Sequence, residues 1–187
     1  QSGLKCTHNS WKRLSINVKV KLKFDVKEMQ SSIFRLMLTS LLTIFLTSDQ
    51  KIEIYKRIRE IENQKDYQDL QDELIDRFGE YPDQVAYLIE IGLVKAYLDA
   101  AFAELVERKN DTIIVRFEKA SLKFFLTQDY FEAISKTHLK AKISDNQGKV
   151  EITFDVRNKK DYEILEELKI FGQTFMEIKE RKEKKEA

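Results

Sequence analysis

The chain has 187 residues, of which 42% are hydrophobic and 35% are charged, with five glycines and one proline. This composition favours a globular protein with long regular elements over a disordered chain, and the length allows one domain, or one domain plus an extension. The single cysteine, Cys6, excludes an internal disulfide and a multi-cysteine zinc site, so we expect a cytoplasmic protein.

The net charge of +1 conceals a division near Ser48. Residues 1–47 carry eight Lys or Arg against two acidic side chains, a net of +6, and the rest of the chain carries −5. The most apolar stretch, residues 33–46, is 14 residues long and contains Arg35. A membrane-spanning helix needs about 20 apolar residues, so we expect a soluble protein without a membrane partner.

Three helices are predicted after Ser48. Apolar residues at helical spacing predict the first over Asp49–Glu62, and a polar break at 63–65 precedes the second. Gly79 is placed to end the second helix, because glycine adopts the left-handed cap conformation readily. The third starts at Pro82 and runs toward Ala103. The apolar stripe of the second helix consists of Tyr67, Leu70, Leu74 and Phe78.

Beyond Asn110 the pattern alternates, which is typical of strands. We predict a strand over 113–117, a second over 122–126, a short helix over 128–136 and a hairpin that pairs 139–143 with 150–156. A closing helix starts near Asn158 and ends near Arg181, followed by a frayed, solvated tail. The predicted fold class is α+β, with N-terminal helices, an antiparallel sheet of about four strands and a closing C-terminal helix.

Motifs for catalysis or cofactor binding are missing from the sequence. It contains no G-x-x-x-x-G-K-[ST] loop, and its glycines are too scattered for a dinucleotide-binding loop. The two histidines, His8 and His138, lie in different compositional regions, and neither has an evident metal or catalytic partner. We therefore expect no catalytic residues, no cofactor and no metal, and we place His138 at the surface or a strand edge.

An acidic face on the second helix is the strongest candidate for a functional site. It combines carboxylates four residues apart, and each like-charged pair costs an isolated helix about 0.2 to 0.5 kcal/mol. Three interpretations remain open: a solvated helix face, a divalent metal site with further ligands elsewhere, and a docking surface for a basic partner. The candidate docking residues are Asp69, Asp72, Glu73, Asp76 and Arg77.

A nucleic-acid-binding protein is the rival interpretation, because residues 1–47 are basic. Residues 48–83, however, carry eleven acidic against six basic side chains, which repels a phosphate backbone. A stand-alone nucleic-acid-binding protein would therefore have to use the basic N-terminal region.

The segment from Ser48 to Lys95 resembles the start of the C-terminal domain of bacterial transcription-repair coupling factors. It has an IEIYKRI helix, an acidic helix ending in ELIDRFG and a proline before the third helix, in that order. The resemblance implies a fragment of a protein that, at full length, is an ATP-dependent DNA translocase. Such a protein releases RNA polymerase stalled at a lesion and recruits the excision-repair protein UvrA.

The same resemblance implies the role of residues 48–187. In that family the C-terminal domain is not catalytic but autoinhibitory, docking on a UvrB-like module of the same protein and masking the surface that binds UvrA. By motif, Glu73 and Asp76 of ELIDRFG would contact the basic surface of that module. RNA polymerase and DNA would be reached only through other regions of the full-length protein.

Residues 1–47 do not follow the family pattern after Gln1–Gly3, which resembles the QSG that closes the family's motor region. Read one base earlier, with synonymous codons chosen freely, residues 5–18 can spell MYSQFLEEAINKR and residues 36–47 can spell IDAYIPTDYISD. Both strings are family-like and both lie in one shifted frame. We therefore expect residues 4–47 to be an out-of-frame, non-native extension and the native domain to start near Ser48.

Overall fold

The computed structural model describes residues 23–25, 48–81 and 83–186. They fall into two compact units, divided inside the third helix after Leu93. Of residues 1–47, only the short segment 23–25 is described. The predictions for Cys6, His8 and residues 33–46 therefore lie outside the described residues, as does nearly all of the segment 4–47 assigned to the shifted frame. Within the described part of the chain, no helix is long and apolar enough to cross a membrane.

The first unit is helical. It contains α1 (Ser48–Arg59), α2 (Gln64–Phe78) and the start of α3 (Asp83–Ala100). The predicted stripe of α2 is confirmed, since Tyr67, Leu70 and Leu74 are buried and Phe78 is half-buried. The α1 and α3 backbones pack closely at Gly92, where a Cβ would lie 2.8 Å from Cγ2 of Ile58. The largest buried aliphatic side chains of this unit are Ile58, Leu88, Ile89, Ile91 and Leu93.

The second unit contains an antiparallel sheet of order β1-β2-β3-β5-β4. Its strands are β1 (Lys23–Asp25), β2 (Ala103–Lys109), β3 (Thr112–Phe117), β4 (Ala141–Asn146) and β5 (Lys149–Asp155). Central pairs of the register are Val106 with Val115 and Val115 with Ile152. The predicted hairpin is confirmed, because Ile143 of β4 pairs with Ile152 of β5.

Two helices pack in the second unit with the sheet, α4 (Thr127–Lys136) and α5 (Asp161–Glu186). Aromatic rings fill the space between them. Phe175 of α5 lies 5.0 Å from Phe125, 5.4 Å from Phe117 and 5.7 Å from Tyr130, between ring centroids. The same helix contributes Phe171, whose ring meets Phe154 of β5 edge-on at 5.1 Å. Edge-on contacts suit the negative face and positive edge of aromatic rings.

The α+β class, the antiparallel sheet and the closing helix are confirmed. Strand β1 precedes the helices in the chain, and it makes the sheet five-stranded. The predicted strand over 122–126 is wrong. Residues Lys119–Lys123 form a 3₁₀ helix. The alternating apolar residues Leu122, Phe124 and Leu126 are all exposed, whereas Phe125 is buried. The strand that pairs with β3 is instead β2, which the sequence did not reveal because its burial follows a three-residue pattern.

Helix boundaries also differ from prediction at several points. The first helix ends at Arg59 rather than Glu62, and the third ends at Ala100, before Ala103. The third begins at Asp83; Pro82 lies outside the described residues. The tail after Arg181 is not frayed but helical to Glu186. Ion pairs support this extension, since Arg181 binds Glu132 and Lys182 binds Asp129, both on α4.

Candidate partner-docking face on the second helix

Helix α2 has a well-defined start and end. The Asn63 side chain caps it by accepting a hydrogen bond of 2.9 Å from the Asp66 backbone N–H. At the other end, the Gly79 N–H donates to the Ile75 carbonyl at 2.8 Å, and Gly79 adopts a φ of 71°. These caps fix the length of the helix and therefore the angular positions of the polar residues opposite the buried stripe.

Three aspartates of the predicted docking set remain exposed on α2. Asp69 forms an i, i+4 ion pair of 3.0 Å with Lys65, and Asp72 accepts a hydrogen bond of 3.2 Å from the Gln68 side-chain amide. No described residue forms a hydrogen bond or ion pair with Asp76. Hydrogen bonding to Asp69 raises the pKa of Lys65. Carboxylate oxygens on this part of the helix are therefore available to a partner.

Glu73 and Arg77 have a different environment, because both belong to an ion network between α1 and α2. Arg57 contacts Glu73 at 2.6 Å, and Arg77 contacts the other oxygen of Glu73 at 3.2 Å. Arg77 also binds Glu53 through both terminal nitrogens, at 2.9 and 3.3 Å. The planar guanidinium suits this two-pronged contact with a carboxylate.

The contact between Arg77 and Glu53 shifts the pKa of both side chains in the direction that favours their charged forms. The hydrogen bond from Arg77 lowers the pKa of Glu53, and the same bond raises the pKa of Arg77. Arg77, four residues after Glu73, alone relieves only part of the carboxylate repulsion on α2. In the structure Arg57 supplies a second cation, so the repulsion at Glu73 is compensated within the unit.

Sequence reasoning therefore missed two members of this site, Glu53 and Arg57. They lie on α1, four residues apart, and the i, i+4 spacing of an acid and a base was visible in the sequence. The contact of Glu53 and Arg57 with α2 was not visible in the sequence, because it depends on how α1 and α2 pack. A further unpredicted feature is Ile75, whose side chain is 41% exposed on the same helix.

A buried polar contact lies behind this face. The Tyr67 hydroxyl donates to Glu90 of α3 at 2.7 Å, and the Gln71 side chain donates to the Tyr67 oxygen at 3.1 Å. Burial raises the pKa of Tyr67, so it stays a protonated donor. Glu90 is only 2% exposed. This contact positions α2 against α3 rather than facing a ligand.

The remaining candidates for chemistry have structural partners. His138 is exposed, as expected, and its Nδ1 lies 3.0 Å from Glu167, whose second oxygen accepts from the His138 backbone N–H at 2.8 Å. Across the described ranges, no three or more His, Cys, Asp or Glu side chains are grouped so that they could hold a metal ion.

Comparison with known proteins connects this chain to one family. A family model described as the TRCF domain matches residues 45–125. The transcription-repair-coupling factor of Bacillus subtilis is 41% identical over 64 residues, which are 34% of this chain and 5% of that protein. That of Staphylococcus aureus is 29% identical over 117 residues, 62% of this chain and 10% of that protein. The chain thus spans a tenth or less of these curated relatives.

A solved structure gives wider coverage. A crystal structure of the C-terminal domain of a transcription-repair coupling factor superposes with a TM-score of 0.71 at 60% sequence identity. The match covers 75% of this chain and 87% of the other. Identity at this level over most of a domain shows common descent as well as a common fold. The chain belongs to the transcription-repair-coupling factor family, and its fold is that of the family's C-terminal domain.

Proposed function

We propose that this chain is a non-catalytic, autoinhibitory module that docks through α2 onto the UvrB-like module of a larger coupling factor and masks the surface that UvrA binds. The observation that supports this most directly is the exposed acidic face of α2, above all Asp76, which has no cationic partner among the described residues. A basic partner surface would supply that cation and steer the approach.

The proposal divides the candidate residues into two roles. Asp69, Asp72 and Asp76 would meet the partner directly, because their carboxylates are exposed. Glu73 and Arg77 would mainly hold α2 against α1, since each already has two charged partners. Glu73 retains about a third of its side-chain exposure, 31%, so it can add to the negative potential of the face.

Charge distribution also favours a protein partner over DNA for this unit. Residues 48–83 carry a clear excess of carboxylates, which repels phosphate. In our proposal this unit therefore does not contact DNA itself. We also propose that the chain works in the cytoplasm. Translocation on DNA, ATP hydrolysis, contact with RNA polymerase and recruitment of UvrA would belong to other regions of a full-length coupling factor.

The proposal is tested by titrating the full chain with the purified UvrB-like module of a coupling factor at several salt concentrations. The double variant Asp72→Lys/Asp76→Lys is expected to weaken binding by at least about tenfold, because two attractive contacts become repulsive. The matched control is Asp49→Lys/Glu60→Lys, which makes the same charge change at two exposed residues, one in the first turn of α1 and one directly after its end. Equal affinities for wild type and the α2 double variant would remove the docking role.

The masking step needs a separate measurement. UvrA should bind the UvrB-like module less well when the wild-type chain is present, and the Asp72→Lys/Asp76→Lys variant should restore UvrA binding. If UvrA and the chain bind the module together without competition, docking stands but autoinhibition does not.

The rival function, nucleic-acid binding, and the shifted reading frame each need a separate test. A salt-titrated DNA-binding assay of the full chain addresses the basic N-terminal region, because phosphate contacts give a steep salt dependence. We further propose that residues 4–47 are an out-of-frame translation. The nucleotide sequence decides this: its shifted frame must encode the two family-like strings given above.

A further inference from the structure

Large apolar side chains are exposed together in one short segment of the sheet unit. Leu122, Phe124, Leu126 and Phe131 are 47%, 49%, 58% and 56% exposed, respectively. Among the described residues only two further large apolar side chains, Ile52 and Ile75, are similarly exposed, and both lie in the helical unit. Single exposed apolar residues are ordinary, whereas contiguous exposed apolar patches mark interaction surfaces.

The backbone beside this segment is strained. Phe102 has a φ of 63°, a left-handed conformation that a bulky side chain rarely adopts. Its N–H donates to the Asp99 carbonyl at 2.9 Å, and its own carbonyl accepts from the Glu118 N–H at 2.8 Å. In this conformation its ring stacks on Phe124 at 4.8 Å between centroids, with the planes 12° apart. Strain of this kind is concentrated at functional positions.

Positive charge borders the same segment. The Lys179 ammonium lies 5.7 Å from the Phe102 ring centroid and 6.0 Å from that of Phe124. No described carboxylate pairs with Lys179 or with the exposed Lys123. The Lys179 ammonium thus lies over the two stacked rings, which attract a cation through their negative faces.

The two carboxylates of α4 do not cancel this charge. Asp129 is held by Lys182, which also donates to the Phe124 carbonyl at 2.9 Å, and Glu132 is held by Arg181 at 2.8 Å. Both are therefore neutralised by the end of α5. An incoming carboxylate would find Lys123 and Lys179 without a competing internal partner in the described part of the chain.

We propose that this surface, which we call the aromatic patch, binds an acidic amphipathic helix of a partner protein. The patch consists of Leu122, Lys123, Phe124, Leu126, Phe131 and Lys179. Apolar side chains of such a helix, three or four residues apart, would cover the exposed rings and leucines, and flanking carboxylates would reach the two lysines. The proposal is independent of docking through α2, because the patch lies wholly in the other unit.

A protein helix fits this surface better than single-stranded nucleic acid does. Bases stack on the open faces of aromatic rings, but Phe102 and Phe124 stack on each other, so one face of each ring is already covered. Aliphatic Leu122 and Leu126 offer no stacking surface. Flexible apolar packing against leucine and phenylalanine is instead the usual mode of a helix in a groove.

The test uses two synthetic helical peptides with identical apolar residues at i, i+4 and i+7. One carries glutamates and the other lysines at the remaining positions, and binding to the full chain is measured by fluorescence anisotropy. The acidic peptide is expected to bind at least about tenfold more tightly, because only it complements the lysines. Leu126→Ser/Phe131→Ser should weaken it at least about tenfold, as loss of central apolar contacts does.

Charge specificity is tested with Lys179→Glu, which should narrow or reverse the preference between the two peptides. Matched controls are Ile52→Ser, which removes an apolar side chain of 56% exposure from α1, and Lys140→Glu, at an exposed residue next to β4. Neither control should change the affinity by more than about twofold, because neither lies in the patch. Leu126, Phe131, Ile52 and Lys140 are exposed and Lys179 is half-buried. Circular dichroism verifies that each variant is folded.

Several outcomes would overturn the proposal. Equal binding of the two peptides, no binding of the acidic one, or no effect of Leu126→Ser/Phe131→Ser would each do so. Concentration-dependent self-association of the chain that the same double variant abolishes would assign the patch to a second copy. Tighter binding of a single-stranded oligonucleotide than of the acidic peptide, lost in Lys179→Glu, would assign it to nucleic acid.

Discussion

The helical unit and the sheet unit are stabilised by different kinds of side chain. In the helical unit the large fully buried side chains are aliphatic, and an ion network and the hydrogen bond between Tyr67 and Glu90 supplement them. In the sheet unit the centre is aromatic, with Phe175 in contact with four other rings. The comparison shows that polar contacts set the arrangement of the helices, whereas ring packing sets that of α5 on the sheet.

The largest effect is expected from removing the aromatic centre. Phe175→Ala should lower the free energy of unfolding by about 3 to 5 kcal/mol, because the ring is fully buried and its loss leaves a cavity. Guanidinium unfolding followed by circular dichroism measures it. Phe131→Ala, at a side chain of 56% exposure, is the matched control and should change stability by less than about 0.5 kcal/mol. A loss below about 1 kcal/mol for Phe175→Ala would contradict the central role of this ring.

The next effect compares one buried tyrosine hydroxyl in each unit. Tyr67→Phe should cost about 2 kcal/mol, because it removes a hydrogen bond to a buried carboxylate. Tyr130→Phe should cost about 1 kcal/mol, since its partner, the Ser121 hydroxyl, is neutral and still bonds to the Ala101 carbonyl. Thermal unfolding of both variants gives the comparison. Equal losses of stability in Tyr67→Phe and Tyr130→Phe would contradict the conclusion that the helical unit depends more on polar contacts than the sheet unit does.

Acid should weaken the sheet unit through Glu151. Hydrogen bonds from Asn146 and then Arg116 lower the pKa of Glu151, so its contribution is present above the unfolded value of about 4.3 and is lost as pH falls through the folded value. Between pH 6 and pH 3, wild type should lose about 0.5 to 1 kcal/mol more than Glu151→Gln. Denaturant midpoints at each pH measure this.

Glu53 allows the same experiment in the helical unit. Arg77 lowers the pKa of Glu53, so the direction is the same, with stability lost as pH falls. Its side chain is 49% exposed, against 17% for Glu151, so the effect should be smaller because solvent screens it. A larger acid effect from Glu53→Gln than from Glu151→Gln would reverse this ranking.

The smallest effect separates the two roles assigned within the α2 face. Asp76→Asn should change the free energy of unfolding by less than about 0.5 kcal/mol, because its carboxylate has no described partner to lose. Glu73→Gln should cost more, up to about 1 kcal/mol, because it weakens contacts to Arg57 and Arg77. Equal effects at the two positions would show that the network contributes nothing to stability.

The same contrast explains what the sequence could predict. In the helical unit α2 buries one regular stripe, so spacing alone predicted this helix, and Gly79 marked its end. Its start was predicted less well, because α2 begins at Gln64, inside the predicted polar break at 63–65. In the sheet unit, two short segments have burial patterns imposed by their surroundings. Strand β2 carries a register irregularity between Ala103 and Leu105, which breaks the alternation, and residues 122–126 alternate without pairing.

The candidate site was predictable in composition but not in connectivity. The acidic residues of α2 and their shared face followed from helical spacing. Their division into exposed aspartates and a networked glutamate depends on Arg57 approaching from another helix, which no local pattern encodes. The aromatic patch could not be predicted at all, because apolar residues at 122, 124 and 126 resemble a strand with a buried face.

Gly172 of α5 faces the Cβ of Tyr97, and a Cβ added there would lie only 2.8 Å from it. Only a residue without a side chain fits at this point, so the glycine fixes the angular phase of the whole helix. Lys179 follows seven residues later, which is close to two full turns, and so emerges on nearly the same side. The absence of a side chain at Gly172 thereby determines that Lys179 lies over the stacked rings of Phe102 and Phe124.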